Sequence, residues 1–440
     1  MTTPRLKAKK QLCHGFRGDP EWANPIIVTR CDTEARPGYN SCKAHEYREE
    51  PEVLTQKIKM LADLIRKAKR CTAYTGAGIS TSSGINDYAS KAKDSKALQR
   101  PVLKTPLAAK PTLAHRVLAG LHKAGHLHHW VQQNHDGLPQ KAGYPQYALN
   151  EIHGAWFDPS NPVVKMSGSL RDDLFAWMLK EEKQTDLCLA MGTSLCGMNA
   201  DRVATTPAKK ALKGKALGTV IVSLQQTKLD HLASLRIFAT IDEVMEKLAA
   251  EMELDYDKQG VPYCYPRPTD KVFWGKRCYV SKAMPIVGRC YRSKNSKPQL
   301  YLCGSSYDAL PPLEKENYVE LEKPNKKENA EMVDVFDVPY DKNGKLLPEG
   351  KRDSMLRLDL REGAKIIMKY GSFEGDKGMV LGLNSQGHFQ IALKHDVEKE
   401  YHHGQKHRPR SRRTMGRFMV EAAVNGQLDH LPFVNRTNDK

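Results

Sequence analysis

Gly76-Ala77-Gly78-Ile79-Ser80-Thr81-Ser82-Ser83-Gly84-Ile85-Asn86-Asp87-Tyr88 is the stretch on which the fold turns. It follows a short apolar run, residues 71–75, with the length and character of a buried strand. Glycines let the backbone turn tightly and come close to a pyrophosphate. The helical stretch that the turn opens would aim N–H groups and a positive dipole end at the same anion. A Gly-Ala-Gly turn standing alone says little more than that the chain turns, so the reading depends on what surrounds it.

Three more apolar runs share the layout. Residues 127–131 end in Gln132-Gln133-Asn134, residues 187–191 in Gly192-Thr193-Ser194, and residues 220–224 in Gln225-Gln226-Thr227. Helical patterns lie around and between them. Pro51 and Glu52 suit a first turn, Leu54, Ile58, Leu61, Ile65 and Ala68 recur at helical spacing, and Arg66, Lys67, Lys69 and Arg70 suit the far end. Residues 112–121, 170–179 and 242–252 read the same way. Short buried strands alternating with helices predict an α/β fold: a Rossmann-type parallel sheet with helices on both faces. In such sheets ligands bind at the carboxyl ends of the strands, where the small and polar residues collect here.

The 440 residues are too many for one ordinary core. The organisation expected is an irregular segment at 1–50, the Rossmann domain at 51–254, a basic and aromatic β-rich segment at 255–321 and a charged linker at 322–354. An SH3-like small barrel at 355–400 and a basic arm at 401–440 complete it. The formal net charge of +18 favours acidic partners, nucleic acid or acidic protein such as tubulin tails. Arg408, Arg410, Arg412, Arg413 and Arg417 form its sharpest cluster, and Arg277, Arg289, Arg292 and Lys294 add to it. No apolar run is long enough for a membrane span, and residues 1–10 are too basic and polar for a secretory signal. Ten cysteines without a Cys-x-x-Cys pair read as free thiols of a reducing compartment. Cys13, Cys31, Cys42 and His45 leave a metal site open as an alternative, although only the last two are close in sequence.

Five segments, in order, resemble the sirtuin family. The opening stretch resembles its GAGxSxxSGIPDFR signature, and Gln133-Asn134-His135-Asp136-Gly137-Leu138 resembles QNxDGL. Glu151-Ile152-His153-Gly154 resembles ELHG, Gly192-Thr193-Ser194-Leu195 resembles GTSL, and residues 220–227 resemble VIVNLxxT. The opening helix, Gly143-Tyr144-Pro145 and residues 235–244 look most like the class IV branch. Leu360 to Met368, then Gly371 to Val380, resemble a KOW-type segment of an SH3-like barrel.

The resemblance implies an NAD-dependent protein-lysine deacylase. Gly76, Ala77, Gly78 and Ser80 would hold the NAD phosphates, with Asp87 beside them. Gln133, Asn134 and Asp136 would line the nicotinamide and ribose pocket. Gly192, Thr193 and Ser194 would meet the distal ribose and phosphate, and Ser223 and Leu224 the adenosine side. His153 would be the general base and Asn134 its partner in catalysis, an imidazole being suited to proton transfer near neutral pH. An acyl-lysine protein would be the substrate. Residence would be nuclear or cytoplasmic, and a cytoskeletal or ciliary site fits the charge equally.

The pattern also departs from the family. Between His153 and Gly192, where the family places two zinc-binding cysteine pairs, stands only Cys188, so no zinc is expected in this domain. The family arginine after Asp87-Tyr88 is Ala89, its proline is Asn86, Pro139 replaces a histidine, and Ser223 replaces an asparagine. These changes keep open a second reading: a pseudo-sirtuin serving as an NAD-binding component of a large chromatin, ribonucleoprotein or microtubule assembly.

Overall fold

The computed structural model describes residues 13–36, 42–87, 89–95, 103, 109–165, 168–258, 278–281, 301–302, 318–321, 335–348, 355–384, 388–394, 412–424 and 426–436. The chain divides into two compact units. One is Met1–Tyr144 with Ala148–Gly154 and Val164–Pro262; the other is Pro145–Tyr147 with Ala155–Val163 and Tyr263–Lys440.

The first unit is built on a six-stranded parallel sheet. A small antiparallel pair, β1 (Ile26–Thr29) and β2 (Glu46–Arg48), precedes it. The sheet strands are β3 (Cys71–Thr75), β4 (His129–Gln132), β5 (Leu149–Glu151), β6 (Leu187–Met191), β7 (Gly218–Val222) and β8 (Leu235–Ile237), in the order β5-β4-β3-β6-β7-β8. This is the doubly wound order, which reverses between β3 and β6 and opens a crevice at their carboxyl ends.

Strand side chains alternate between two cores. Cys71, Ala73, Leu187, Leu189, Val220 and Val222 face one, and Tyr74, Cys188, Ala190 and Ile221 face the other. Helices α1 (Pro51–Lys67), α2 (Leu113–Lys123) and, later in the chain, α6 (Ile241–Glu251) cover the first core, through Leu54, Ile58, Leu61, Val117, Leu118, Val244 and Leu248. After the short helix α3 (Leu138–Lys141), α4 (Asp172–Gln184) and α5 (Arg202–Ala211) cover the second through Met178, Val203 and Ala204. Each fully buried leucine of this kind contributes about 2 kcal/mol.

Two differences from the sequence reading have simple causes. Strands β5 and β8 are three residues each, too short for periodicity to reveal. The turn after β3 opens a 3-10 segment, Ala77–Ser83, rather than an α-helix.

A buried charged cluster ties the edge of this sheet together. Lys57 Nζ donates to Glu49 Oε1 at 2.5 Å and to the Arg236 carbonyl at 2.7 Å. Burial holds the Lys57 ammonium down to about 8, against the pull of Glu49. The Arg236 guanidinium donates to Asp230 Oδ1 at 2.8 Å, to the Ser223 carbonyl at 3.0 Å and to the Gln225 carbonyl. The turn after β7 is therefore fixed by a side chain from β8.

The second unit is antiparallel. The strands β9 (Cys278–Ser281), β10 (Tyr301–Leu302) and β11 (Tyr318–Leu321) form one sheet, and β12 (Val335–Val338) pairs with β13 (Leu356–Asp359). A curled five-stranded sheet, half of a barrel, follows: β14 (Lys365–Met368), β15 (Lys377–Leu383), β16 (Phe389–Leu393), β17 (Arg413–Met415) and β18 (Phe433–Asn435), in the order β17-β16-β15-β14-β18. Between β17 and β18 lies α7 (Arg417–Val424). The stretch that resembles a KOW-type segment, Leu360 to Met368 and Gly371 to Val380, contains β14 and most of its antiparallel partner β15.

The stretch expected as a charged linker contributes β12, and the stretch expected as a free basic arm contributes β17, α7 and β18. Arg417 is buried over the Phe389 ring, and Arg413 stacks 3.7 Å above Phe373. Arg412 remains exposed. Arg408, Arg410, Arg277, Arg289, Arg292 and Lys294 lie outside the described residues.

Residues 155–163 form a loop belonging to this unit. Phe157, 1% exposed, packs edge-on against Phe418 and His388, and its carbonyl accepts from Gly416 N at 2.9 Å. The Ser160 carbonyl accepts from Ser372 N at 3.2 Å.

Candidate functional site

The crevice forms where two glycine turns meet. Gly76 N donates to the Met191 carbonyl at 3.2 Å, and Gly78 N to the Gly192 carbonyl at 2.9 Å. A Cβ on Gly78 would stand 2.7 Å from Gly192 Cα, and one on Gly192 only 2.6 Å from Ile79 N. Gly192 also has φ +62°, the left-handed region. The glycines are thus needed, before any ligand is considered, to let the ends of β3 and β6 touch.

A polar cluster stands on these turns. Ser80 Oγ donates to Asp136 Oδ2 at 2.6 Å. Asn134 Nδ2 donates to the Gly76 carbonyl at 3.0 Å and to Ser80 Oγ at 3.1 Å. Gln133 Nε2 reaches across to Thr193 Oγ1 at 2.8 Å, bridging the ends of β4 and β6. Asp136 Oδ1 takes Leu138 N at 3.1 Å and Gln132 Nε2 at 3.3 Å. Burial pushes the Asp136 carboxyl above the usual range, against these hydrogen bonds, which lower it.

His153 stands two residues beyond β5, on the same carboxyl edge. Its ring makes a hydrogen bond with the Gln133 backbone, while Nε2 is buried and without a hydrogen-bond partner among the described residues. The Gln133 bond therefore involves Nδ1, and a backbone carbonyl there requires an N–H, which leaves the lone pair on Nε2. Burial first, then the neighbouring His135 and the Arg36 charge, hold the imidazole down to about 4. The ring is neutral at pH 7 and presents a proton acceptor. Its own carbonyl accepts from Val164 N at 2.9 Å, which closes the base of the 155–163 loop.

Other residues singled out in the sequence make different contacts. Asp87 caps its own turn, accepting from Ala89 N, Ser90 N and Ser90 Oγ at 2.7–3.1 Å. Ser223 Oγ accepts from Gln225 N at 3.3 Å, and the Leu224 carbonyl accepts from Tyr47 N at 2.8 Å. Ala77 opens the 3-10 segment, and Tyr88 lies outside the described residues. Cys188, which is the one cysteine between His153 and Gly192, is fully buried in β6. His45 Nδ1 accepts from Cys31 N at 3.0 Å, and among the described residues no three His, Cys, Asp or Glu side chains gather as a metal site needs.

The sequence reading missed Arg36, whose Nη1 lies 3.3 Å from Ser194 Oγ and 3.1 Å from Cys196 Sγ. It also missed the Glu49–Lys57–Arg236 cluster behind the β7 turn. A lone arginine in an irregular segment carries no periodic or motif signal. The buried lysine sits on a helix whose pattern reads as an ordinary apolar stripe.

No family model matches the chain. Curated relatives do. The NAD-dependent protein deacetylase SRT1 of Oryza sativa subsp. indica is 34% identical over 48% of this chain and 51% of its own length. The NAD-dependent protein deacetylase sirtuin-7 of Bos taurus is 29% identical over 52% of this chain and 67% of its own, and the Homo sapiens sirtuin-7 is 29% identical over 61% and 74%. The chain spans about half the length of the first of these relatives. Among solved structures, a Sir2–p53 peptide–NAD+ complex aligns at 22% identity with 44% of this chain and 98% of its own, with a TM-score of 0.38.

Proposed function

From the premise that the parallel-sheet unit belongs to the sirtuin family, on the side of its class IV branch, we propose that it binds NAD at the β3–β6 crevice and removes acyl groups from protein lysines. The observation that carries this reading is His153: a neutral imidazole with an unpartnered, buried Nε2 on the carboxyl edge that holds Ser80, Asn134 and Asp136.

The residues present fit the dinucleotide. Gly76, Ala77, Gly78 and Ser80 would hold its phosphates, and Gly192, Thr193 and Ser194 the distal ribose and phosphate. Ser223, Leu224 and Asp87 would line the adenosine side, and Gln133, Asn134 and Asp136 the nicotinamide end. NAD, when bound, supplies a ribose carbon that the acyl oxygen attacks as nicotinamide leaves. With it bound, His153 Nε2 would accept the proton of a ribose hydroxyl, in the tautomer that the Gln133 backbone fixes. Asn134, held by Gly76 and Ser80, orients the ribose. Asp136 stays in place through Ser80 and Leu138 and orders the turn.

An acyl-lysine protein is the proposed substrate, and the net charge of +18 supports an acidic partner, nucleic acid or acidic protein, for the basic C-terminal half. Nuclear or cytoplasmic residence, with a cytoskeletal or ciliary site included, suits that charge. Among the described residues no helix is long and apolar enough to cross a membrane.

The test follows nicotinamide release from NAD and deacylation of an acetyl-lysine peptide. Loss of the general base in His153→Ala is expected to slow steady-state formation of the deacylated peptide about 100-fold or more, with NAD still bound in calorimetry. Binding without release from the unaltered chain would refute the deacylase reading, and absence of binding would refute the cofactor reading as well.

A further inference from the structure

The residues assigned to the crevice carry no positive charge. Gly76, Ala77, Gly78, Ser80, Gln133, Asn134, Gly192, Thr193 and Ser194 are neutral, and Asp87 and Asp136 are acidic. The family position for an arginine is Ala89. A pyrophosphate entering this crevice would meet backbone amides and carboxyl groups but no cation from that set.

Arg36 approaches the same place from another part of the chain. Its Nη1 donates to Ser194 Oγ at 3.3 Å and lies 3.1 Å from Cys196 Sγ, so the guanidinium sits on the turn that leaves β6. Its charge is felt at His153 and at Asp201 as well. The root of the side chain is fixed: Ala35 is 4% exposed, Ala35 N donates to the Cys42 carbonyl at 3.0 Å, and Glu34 bridges Lys43. Arg36 therefore reaches the β6 turn from an anchored segment that precedes the Rossmann sheet in sequence.

We propose that Arg36 is the cation of the dinucleotide site, pairing with a phosphate of the bound cofactor beside Ser194, in place of the arginine missing at position 89. The assignment rests on the NAD reading above. A guanidinium carries five N–H donors, and its planar fork matches phosphate oxygens. Ser194 holds it at the position where the anion arrives.

The experiment is calorimetric titration of the full chain, unaltered and as Arg36→Ala, Arg36→Gln and Arg36→Lys, with ADP-ribose and with adenosine. Removing a charged hydrogen-bond donor is expected to weaken ADP-ribose about tenfold or more in the Ala and Gln variants. Lys should recover part of the loss, and adenosine, which has no phosphate, should bind all four alike. Thermal melting of the Gln and Lys variants at the unaltered chain's temperature separates this from misfolding. ADP-ribose binding that survives Arg36→Gln overturns the role of Arg36 and leaves the NAD reading standing. Equal loss of adenosine affinity overturns it too, since the side chain would then be shaping the turn. An unaltered chain that binds no ADP-ribose overturns the NAD reading, and this inference with it.

Discussion

In the parallel-sheet unit, Ser80, Gln133, Asn134, Asp136 and Thr193 come from turns that each follow a strand directly; in the antiparallel unit, Ile366 pairs with Asn435, nearly seventy residues away. The first arrangement puts every strand's carboxyl end on one edge, so a run of motifs becomes a site wherever the strands lie in sequence. The second gathers its core from strands and a loop, 155–163, that share no motif and no period. Polar side chains thus gather where topology aligns strand ends, and the antiparallel unit holds its parts by packing.

The largest expected effect would break the crevice itself. Gly192→Val forces a β-branched residue to φ +62° and drives its Cβ to 2.6 Å from Ile79 N, a backbone atom that cannot swing away. Strain and overpacking together should cost about 4 kcal/mol, read as a collapse of melting temperature with loss of NAD binding. A variant that melts normally would show that the β3 and β6 turns do not depend on each other. The matching change in the other unit is Phe157→Ala, which removes a ring that is 1% exposed between Phe418 and His388. The cost should be about 3 kcal/mol. Hydrogen exchange should locate it in β14, β15 and β16 and leave the amides of β3 and β6 protected. Equal loss in both sets would dissolve the contrast between the units.

The contrast also explains what the sequence could tell. The four longer strands of the parallel sheet are buried throughout and rich in apolar residues, because both faces are covered, and such runs are visible without partners. The edge strands Leu149–Glu151 and Leu235–Ile237 are short, and the second hides a buried arginine that any hydropathy reading places outside. Within the site, Ser80, Asn134, Asp136 and His153 lie in recognisable motifs at strand ends. Arg36 does not, because its place depends on an irregular segment folding back onto the β6 turn. Arg417 is illegible for the opposite reason: charge count cannot distinguish a solvated side chain from one packed over Phe389. Long side chains with apolar stems do both.

The smallest effect concerns acid. Burial first of all holds His153 down to about 4 and His115 and His129 down to about 3, from 6.5, and all three belong to the parallel-sheet unit. The folded state binds these protons less readily than the unfolded chain. Their contribution is therefore complete above pH 6.5 and is lost as pH falls toward 4 and 3. For His153 alone the loss at pH 5 should be roughly 2 kcal/mol. Glutamine at this position carries no titrating group, so His153→Gln should flatten the fall in stability between pH 7 and pH 5 by that amount, whatever it does at pH 7. Denaturant unfolding of both proteins at pH 7 and pH 5, followed by exchange at the amides of β3 and β6, measures the difference. Equal slopes would mean that the His153 ring is hydrated in the folded protein. Its Nε2 would then be a solvated surface nitrogen, and the buried acceptor on which the deacylase reading depends would be gone.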